Sequence, residues 1–161
     1  MKILITGATG LLGRAILKEF KTKHEVLGLS KSRQAELCQQ IDLLDFTAID
    51  QCLDEFQPDV IIHSAALRSP DICENQKEFT HQVNVEASVH LAEKAAKSDA
   101  RFIFISTDYV FDGSQAPYET TDQRNALNAY GQSKVDAEDE ILRINSNAAI
   151  LRIPVLYGEE H

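Results

Sequence analysis

The sequence is poor in cysteine and has no long apolar stretch. Its 161 residues contain three cysteines, Cys38, Cys52 and Cys73, an odd number with no CxxC motif among them. This usage excludes a disulfide scaffold and a zinc site of paired cysteines, and it predicts reduced thiols in a cytoplasmic protein. No apolar run approaches the roughly 20 residues of a membrane span. The run after Lys2 is too short for a signal peptide, so neither feature is expected.

Positive charge is also scarce, because 16 Lys and Arg face 25 Asp and Glu, for a formal net charge of −9. A surface for nucleic acid or an anionic membrane is therefore not expected, although a local basic pocket is compatible with this balance. The length predicts one compact domain over residues 1–161. No metal site is expected, since the histidines are scattered at His24, His63, His81, His90 and His161.

The most informative stretch is the N-terminal one, which reads MKILITGATGLLG. Residues 3–5 form a short apolar run typical of a buried parallel strand. Gly7, Gly10 and Gly13 then turn the chain, and apolar residues follow at helical spacing. A strand, a glycine turn and a helix N-terminus predict a pyrophosphate site, because glycine allows close approach and the helix end carries positive partial charge. The alternative is a plain strand-to-helix loop that binds no nucleotide.

Strand-like apolar runs alternate with helical patterns along the whole chain. Strands are expected near 2–6, 25–29, 39–41, 59–64, 101–106 and 148–153, and helices near 11–22, 46–56, 78–98 and 128–144. This alternation predicts an α/β fold, a Rossmann-type doubly wound parallel sheet with helices on both faces and strand order 3-2-1-4-5-6. The irregular stretches 65–77 and 107–127 both follow strand ends, where such sheets bind ligands.

The residues after the second predicted strand bear on the kind of nucleotide. Ser30, Lys31, Ser32 and Arg33 supply two hydroxyls and two cations where an NAD-specific site has an acid. These groups suit a 2′-phosphate, so the segment predicts NADP. The alternative is a solvated polar loop that contacts nothing.

The ends of the third and fourth predicted strands add further candidates. Asp42 could accept from the adenine amino group with Leu43 against the ring, and Asp45 could cap the helix that follows. The small residues 64–66 would let the backbone approach a cofactor. The preceding His63 is expected to be a core or edge histidine rather than a ligand.

A candidate catalytic group combines the fifth strand with the last helix. Thr107 ends the strand, and Tyr130 and Lys134 lie one helical turn apart, about 5–6 Å at Cβ. A phenol whose free pKa is about 10 can exchange a proton with a substrate oxygen when an ammonium and an oxidised nicotinamide favour the phenolate. Thr107 would hydrogen-bond the same oxygen.

Asn84, inside an apolar helix, needs partners, either backbone groups or an ordered water near the site. The run 138–140 (Glu-Asp-Glu) is expected to be a solvated helix face.

A family resemblance is carried by TGATGLLG, the SAA of the fourth strand, Asn84, STDYVFDG and YGQSK. Together they resemble an extended short-chain dehydrogenase/reductase, and ISTDYVFDG is similar to the dTDP-4-dehydrorhamnose reductase branch. A closer resemblance, to the regulatory beta subunits of methionine adenosyltransferase in the same branch, is carried by GATGLLGRAILKEF, FQPDVIIHSAALRSPDICENQ and LRIPVLYGE. It spans almost the whole chain.

The resemblance implies NADP as the cofactor and two alternative functions. One is reduction of a nucleotide-sugar ketone such as dTDP-4-dehydrorhamnose by Thr107, Tyr130 and Lys134. The other is a non-catalytic NADP-binding subunit that docks on a methionine adenosyltransferase catalytic subunit. Both functions are compatible with a homo-oligomer. Family members continue past the LYG segment. We therefore expect either that this sequence is a fragment, or that its substrate site is missing or supplied by a partner. The expected dinucleotide-binding set is Gly7, Thr9, Gly10, Leu11, Leu12, Gly13, Ser30, Lys31, Ser32, Arg33, Asp42, Leu43, Ser64, Ala65, Ala66, Arg68, Tyr130, Lys134 and Leu156.

Overall fold

The chain is built on one parallel β-sheet, and the computed structural model describes residues 1–158. The strands are β1 (Lys2–Thr6), β2 (Glu25–Ser30), β3 (Cys38–Gln40), β4 (Val60–His63), β5 (Arg101–Thr107) and β6 (Ala149–Ile153). All neighbouring pairs run parallel, in the order β3-β2-β1-β4-β5-β6. The predicted Rossmann-type sheet and its strand order are therefore confirmed.

The centre of the sheet is buried on both faces. In β1, Ile3 and Ile5 face one side and Leu4 faces the other, because successive strand side chains alternate. All three are 2% exposed or less. The first two pack with Val26 and Ile62, and the third belongs to the larger cluster on the opposite face. Helices on both faces, as expected, cover these clusters.

Helices connect the strands. Within residues 1–158 the α-helices are α1 (Leu11–Phe20), α2 (Phe46–Phe56), α3 (Pro70–Asn75), α4 (Lys77–His81), α5 (Ala87–Lys97) and α6 (Ala129–Ile144). A π-helical turn at Gln82–Glu86 joins α4 to α5, and a short 3-10 turn, Asp108–Val110, follows β5. No helix in this part of the chain is long and apolar enough to cross a lipid bilayer.

The region between β4 and β5 differs from the prediction in two ways. The range 78–98 follows one helical path, but the π turn at Gln82–Glu86 interrupts it, a change of register that apolar spacing does not announce. The stretch 65–77, expected to be irregular, contains α3. Pro70 is the first residue of that helix, where a missing N–H costs nothing, so a residue typical of loops starts a helix here.

The strand register brings the candidate site to one edge. Thr6 pairs with His63, and His63 pairs with Phe104, three residues before the end of β5 at Thr107. Because the strands are parallel, their carboxyl ends and the loops that follow them share this edge. Sheets of this kind bind ligands there.

Candidate active site

The turn after β1 requires glycine at two positions. Gly7 has a φ of +67°, and a Cβ there would lie 2.9 Å from the backbone N and Cα of Ala65. A Cβ at Gly13 would lie 2.2 Å from the carbonyl oxygen of Gly7. Gly10 closes the turn, because its N–H donates to that oxygen at 2.9 Å. The turn therefore packs directly against the loop after β4.

The start of α1 has features that suit an anionic ligand. Its N-cap residue is Gly10, which has no side chain, and the first turn contains no acidic residue. The N–H groups of a first helical turn carry positive partial charge. Arg33 Nη1 donates to the carbonyl oxygen of Thr9 at 3.2 Å, and a Cβ on Gly158 would lie 3.5 Å from Leu11. Segments from three parts of the chain converge here, around N–H groups of a kind that suits an anion such as a pyrophosphate.

Two of the residues at and after the end of β2, Ser30 and Lys31, already interact with other residues of the protein. Lys31 Nζ lies 2.8 Å from Asp42 Oδ2, and this hydrogen bond, more than any other cause, holds the pKa of the Asp42 carboxyl below its usual value. Ser30 is buried, and its hydroxyl donates to the Arg33 carbonyl oxygen at 2.5 Å. Lys31, Ser32 and Arg33 have exposed side chains. Three of the four residues predicted for a 2′-phosphate thus remain accessible.

Among the residues after β3, Asp45 caps a helix and Leu43 packs against the core. Asp45 Oδ1 accepts from the N–H of Ala48 at 3.0 Å and is the N-cap of α2, which confirms its expected capping role. Leu43 packs partly buried against the core. Asp42 also accepts from the N–H of Leu44 at 3.2 Å. Asp42 therefore lies beside the loop after β2, and Leu43 next to it packs against the core.

The small residues after β4 are anchored to β1. Ser64 Oγ donates to the carbonyl oxygen of Thr6 at 2.7 Å, and the N–H of Ala65 donates to Thr6 Oγ1 at 3.3 Å. Residues 64–66 are half-buried, and Arg68 beyond them is exposed. This places the segment against the glycine turn, as a cofactor-approach role requires.

His63 lies in a buried polar chain whose hydrogen-bond directions are fixed. Ser88 Oγ donates to the carbonyl oxygen of Asn84 at 2.7 Å, so it can only accept from His63 Nε2 at 2.8 Å. Nδ1 must then accept from the hydroxyl of Thr6, 2.6 Å away. Burial, and secondarily Lys134, lowers the pKa of His63 to about 3. His63 is thus a neutral core histidine, as expected, protonated on Nε2.

Asn84 is satisfied by backbone groups and one hydroxyl. Its Oδ1 accepts from the N–H of Leu67 at 2.7 Å, and its Nδ2 donates to the Leu67 carbonyl oxygen at 2.9 Å and to Ser133 Oγ at 3.0 Å. The prediction that Asn84 hydrogen-bonds to backbone groups is therefore confirmed. Ser133 in turn donates to the carbonyl oxygen of Tyr130 at 2.7 Å. The amide joins the loop after β4 to the start of α6.

The start of α6 brings Tyr130 to the end of β5. Asn128 caps the helix, since its Oδ1 accepts from the N–H of Gly131 at 2.8 Å. A Cβ at Gly131 would lie 2.3 Å from the carbonyl oxygen of Tyr109, so only glycine allows α6 to approach the 3-10 turn this closely. The rings of Tyr109 and Tyr130 meet edge-on at 5.9 Å, and the phenol of Tyr130 hydrogen-bonds the side chain of Thr107.

The environment of Tyr130 favours the protonated phenol. Burial raises the pKa of Tyr130, and this outweighs the lowering by the hydrogen bond with Thr107. Arg68 also lowers it, whereas a neighbouring thiol and a neighbouring carboxyl group raise it. The sequence predicts that Lys134 favours the phenolate, but in the protein without a bound ligand the effect of burial on the pKa of Tyr130 is the largest. A protonated phenol at neutral pH can donate a proton to a ligand oxygen.

Lys134 is buried behind Tyr130. It is 2% exposed, and its Nζ lies 3.8 Å from the centre of the Phe104 ring, a cation–π contact. Burial lowers the pKa of Lys134 to about 7, and Glu138 opposes that decrease. The side chain thus sits on the same face of α6 as Tyr130, as its spacing predicts.

Glu138 was expected on a solvated helix face, and this is wrong. Its carboxylate is 0% exposed and accepts from Ser106 Oγ at 2.5 Å, Arg124 Nη1 at 3.0 Å and Arg152 Nη2 at 2.7 Å. Only its neighbour Asp139 is clearly exposed among residues 138–140.

The sequence does contain a signal for this burial. Arg152 interrupts the apolar strand AILRI, and a guanidinium inside a sheet needs an acidic partner. Glu138 also lies four and eight residues after Lys134 and Tyr130, on the same helix face.

Two predicted positions lie at the margins of this site. Leu156 is 42% exposed and belongs to the segment that reaches Leu11 through Gly158. Within residues 1–158, no group of three or more His, Cys, Asp or Glu could hold a metal ion, and His161 lies outside the described residues. The remaining predicted residues form two groups on one sheet edge, around the start of α1 and around Tyr130.

Comparison with known proteins places this arrangement in a family. Residues 1–161 match the family described as RmlD substrate binding domain. The methionine adenosyltransferase 2 subunit beta of Bos taurus is 48% identical over 159 residues, which are 98% of this chain and 48% of that protein.

Solved structures give the same fold. A hypothetical dTDP-4-dehydrorhamnose reductase from Sulfolobus tokodaii is 35% identical with a TM-score of 0.90, over 96% of this chain and 56% of the other. The dTDP-4-dehydrorhamnose reductase of Bacillus anthracis str. Ames, in complex with NADP, is 26% identical with a TM-score of 0.89, over 99% of this chain and 55% of the other. The chain thus spans about half the length of these relatives.

Proposed function

The chain belongs to the RmlD substrate binding domain family, and we propose that it is the dinucleotide-binding part of an NADP-dependent reductase of the extended short-chain dehydrogenase/reductase type. The substrate class is a nucleotide-sugar ketone such as dTDP-4-dehydrorhamnose. One observation carries the proposal: Thr107 and Tyr130 meet at the carboxyl edge of the sheet, with Lys134 buried one helical turn further along α6. Similarity to a reductase solved in complex with NADP supports the choice of cofactor.

The proposed dinucleotide site runs along the sheet edge. The N–H groups at the start of α1 bind the pyrophosphate, because the N-cap residue Gly10 makes no side-chain cap to them. Lys31 and Arg33, both exposed, contact the 2′-phosphate, and Asp42 and Leu43 contact the adenine. The segments at 64–68 and 154–158 flank the nicotinamide half, since both lie against the glycine turn or α1.

The proposed chemistry is a proton transfer from Tyr130 coupled to a hydride transfer. When bound, the dinucleotide supplies the hydride to the carbonyl carbon. Tyr130 donates its phenolic proton to the carbonyl oxygen, and its raised pKa keeps that proton in place at neutral pH. Thr107 hydrogen-bonds the same oxygen and orients it. Lys134, in its charged form, stabilises the phenolate that remains and contacts the ribose.

A second function is favoured by the 48% identity with the bovine methionine adenosyltransferase 2 subunit beta. In that role the chain binds NADP and docks on a methionine adenosyltransferase catalytic subunit without turning over a substrate. The Thr107–Tyr130–Lys134 arrangement favours the reductase, since a regulatory subunit does not need it.

One experiment separates the two functions. NADPH oxidation is followed with a dTDP-4-keto-6-deoxy sugar, for the unmodified chain, for Tyr130→Phe and for the control Lys97→Ala, an exposed lysine at the end of α5. The reductase predicts turnover that is lost in Tyr130→Phe and kept in the control. NADPH binding without turnover, together with co-purification with a methionine adenosyltransferase, supports the regulatory role.

A further inference from the structure

A buried carboxylate lies directly behind the proposed site. Glu138 is fully buried, and both of its oxygens accept hydrogen bonds. Oε1 accepts from Ser106 Oγ at 2.5 Å and Arg152 Nε at 3.1 Å, and Oε2 accepts from Arg124 Nη1 at 3.0 Å and Arg152 Nη2 at 2.7 Å. A carboxylate can be buried at acceptable cost only when it is paired in this way.

These partners come from three separate parts of the chain. Ser106 and Arg152 are direct neighbours across β5 and β6, so Glu138 of α6 spans the two strands. Arg124 precedes α6 and also pairs with Asp139 at 2.6 Å. Ser106 is followed at once by Thr107. The contact therefore fixes the end of β5 relative to the helix that carries Tyr130 and Lys134.

The same carboxylate is the negative charge that acts on Lys134. The two residues are four apart and share a helix face. Glu138 on α6 and His63 on β4 are the titratable groups that interact with Lys134, and Phe104 of β5 presents its ring to the ammonium. Tyr130 precedes Lys134 by one helical turn on α6. His63 is neutral, so it provides no charge of its own. Glu138 raises the pKa of Lys134, against the larger opposite effect of burial.

We propose that Glu138 is a positioning residue of this site, which holds α6 against β5 and β6 and keeps the buried ammonium of Lys134 charged. The inference rests on the proposed function only for the role given to Lys134. Without the carboxylate, the guanidinium groups of Arg124 and Arg152 would lack their buried partner and would repel the Lys134 ammonium. The lysine would then lose its proton at a lower pH.

The test is a double-mutant cycle that needs no dinucleotide. Unfolding free energies are measured in urea for the unmodified chain, Glu138→Gln, Lys134→Met and the double variant, from about pH 5.5 to about pH 9. The matched control replaces Glu138→Gln with Glu140→Gln, whose carboxylate pairs with Arg143 at 2.7 Å. If Glu138→Gln does not fold, the cycle is repeated in an Arg152→Gln background, in which only Arg124 loses its buried partner.

The proposal predicts coupling that depends on pH. A coupling energy between Glu138 and Lys134 should appear as the pH falls through about 7, where Lys134 gains its charge, and should vanish at higher pH. The Glu140 cycle should show no coupling at any pH. A coupling of zero throughout, or one that is constant with pH, would overturn the proposal and leave Glu138 a purely structural residue. The NADPH-oxidation assay with Tyr130→Phe tests the proposed function separately, because the unfolding cycle needs neither dinucleotide nor substrate.

Discussion

The side-chain amide of Asn84 donates a hydrogen bond of 3.0 Å to the hydroxyl of Ser133, and so joins the π turn to α6. The same amide makes two bonds to the backbone of Leu67. One asparagine thus links the loop after β4 to the helix of Tyr130. Asn84 lies within the π turn Gln82–Glu86, and turns of this kind often occur at functional sites.

Replacing Asn84 with alanine should destabilise the protein by about 1–3 kcal/mol, because the part-buried N–H and carbonyl groups of Leu67 would lose their hydrogen bonds to the amide. The control is Asn75→Ala, an exposed amide of α3 that donates to the Asp71 carbonyl oxygen at 2.8 Å. There the loss should stay within about 0.5 kcal/mol. Urea unfolding measures both variants, and equal losses would contradict the linking role of Asn84.

The hydrogen-bond chain through His63 predicts its tautomer. A ¹⁵N NMR spectrum of the imidazole should show a protonated Nε2 and an unprotonated Nδ1 from neutral pH down to about pH 5. Burial lowers the pKa of His63 to about 3, so the ring should stay neutral over that range. A protonated Nδ1 would mean that the bonds to Thr6 and Ser88 run in the opposite direction.

His63 should also contribute to acid sensitivity. Its pKa is about 3 in the folded protein, against the usual 6.5 when unfolded, so the unfolded state binds more protons between these values. The stability it contributes is full above about pH 6.5 and is lost progressively as the pH falls towards 3. A His63→Gln variant should lose less stability over this window than the unmodified chain. Parallel urea curves at each pH give the comparison.

Gly131 should tolerate no side chain. A Cβ there would lie 2.3 Å from the Tyr109 carbonyl oxygen, so Gly131→Ala should move the start of α6 and cost about 1–3 kcal/mol. The control is Gln132→Ala at the next, exposed position of α6, which should change stability little. A Gly131→Ala variant as stable as this control would contradict the close approach of α6 and the 3-10 turn.

The cations after β2 should set the choice between NADP and NAD. Lys31→Ala and Arg33→Ala should each lower the NADPH-to-NADH affinity ratio by about 10- to 100-fold, the effect of losing one charged hydrogen bond. The control is Lys97→Ala, a surface lysine at the end of α5. Ser30→Asp should reverse the preference. An affinity ratio that stays unchanged in both cation variants would count against the 2′-phosphate assignment.

The fold could be predicted from local sequence patterns, whereas the partners of Asn84 and Glu138 could not, because they come from distant parts of the chain. The apolar run at 3–5 and the glycines that follow it specify a strand, a turn and a helix from neighbouring residues alone. Asn84 in the π turn bonds to Leu67 and Ser133, which are 17 and 49 residues away in sequence, so local spacing cannot reveal these partners. The burial of Glu138 depends on Arg152, 14 residues later in strand β6, so the acidic run alone indicates a solvated face, and the signal for burial lies in the arginine of that apolar strand.

Binding of NADPH at the start of α1 can be measured by titration of NADPH and NADH into the folded chain. The variant to compare is Gly10→Val, because a Cβ at this position meets only the Gly7 carbonyl oxygen at 3.2 Å and the N-cap backbone is extended. We expect saturable NADPH binding, tighter than that of NADH, and an NADPH affinity that is at least about tenfold lower in Gly10→Val with the melting temperature unchanged. A folded chain that binds neither nucleotide, or a Gly10→Val variant that binds NADPH as tightly as the unmodified chain, would contradict it.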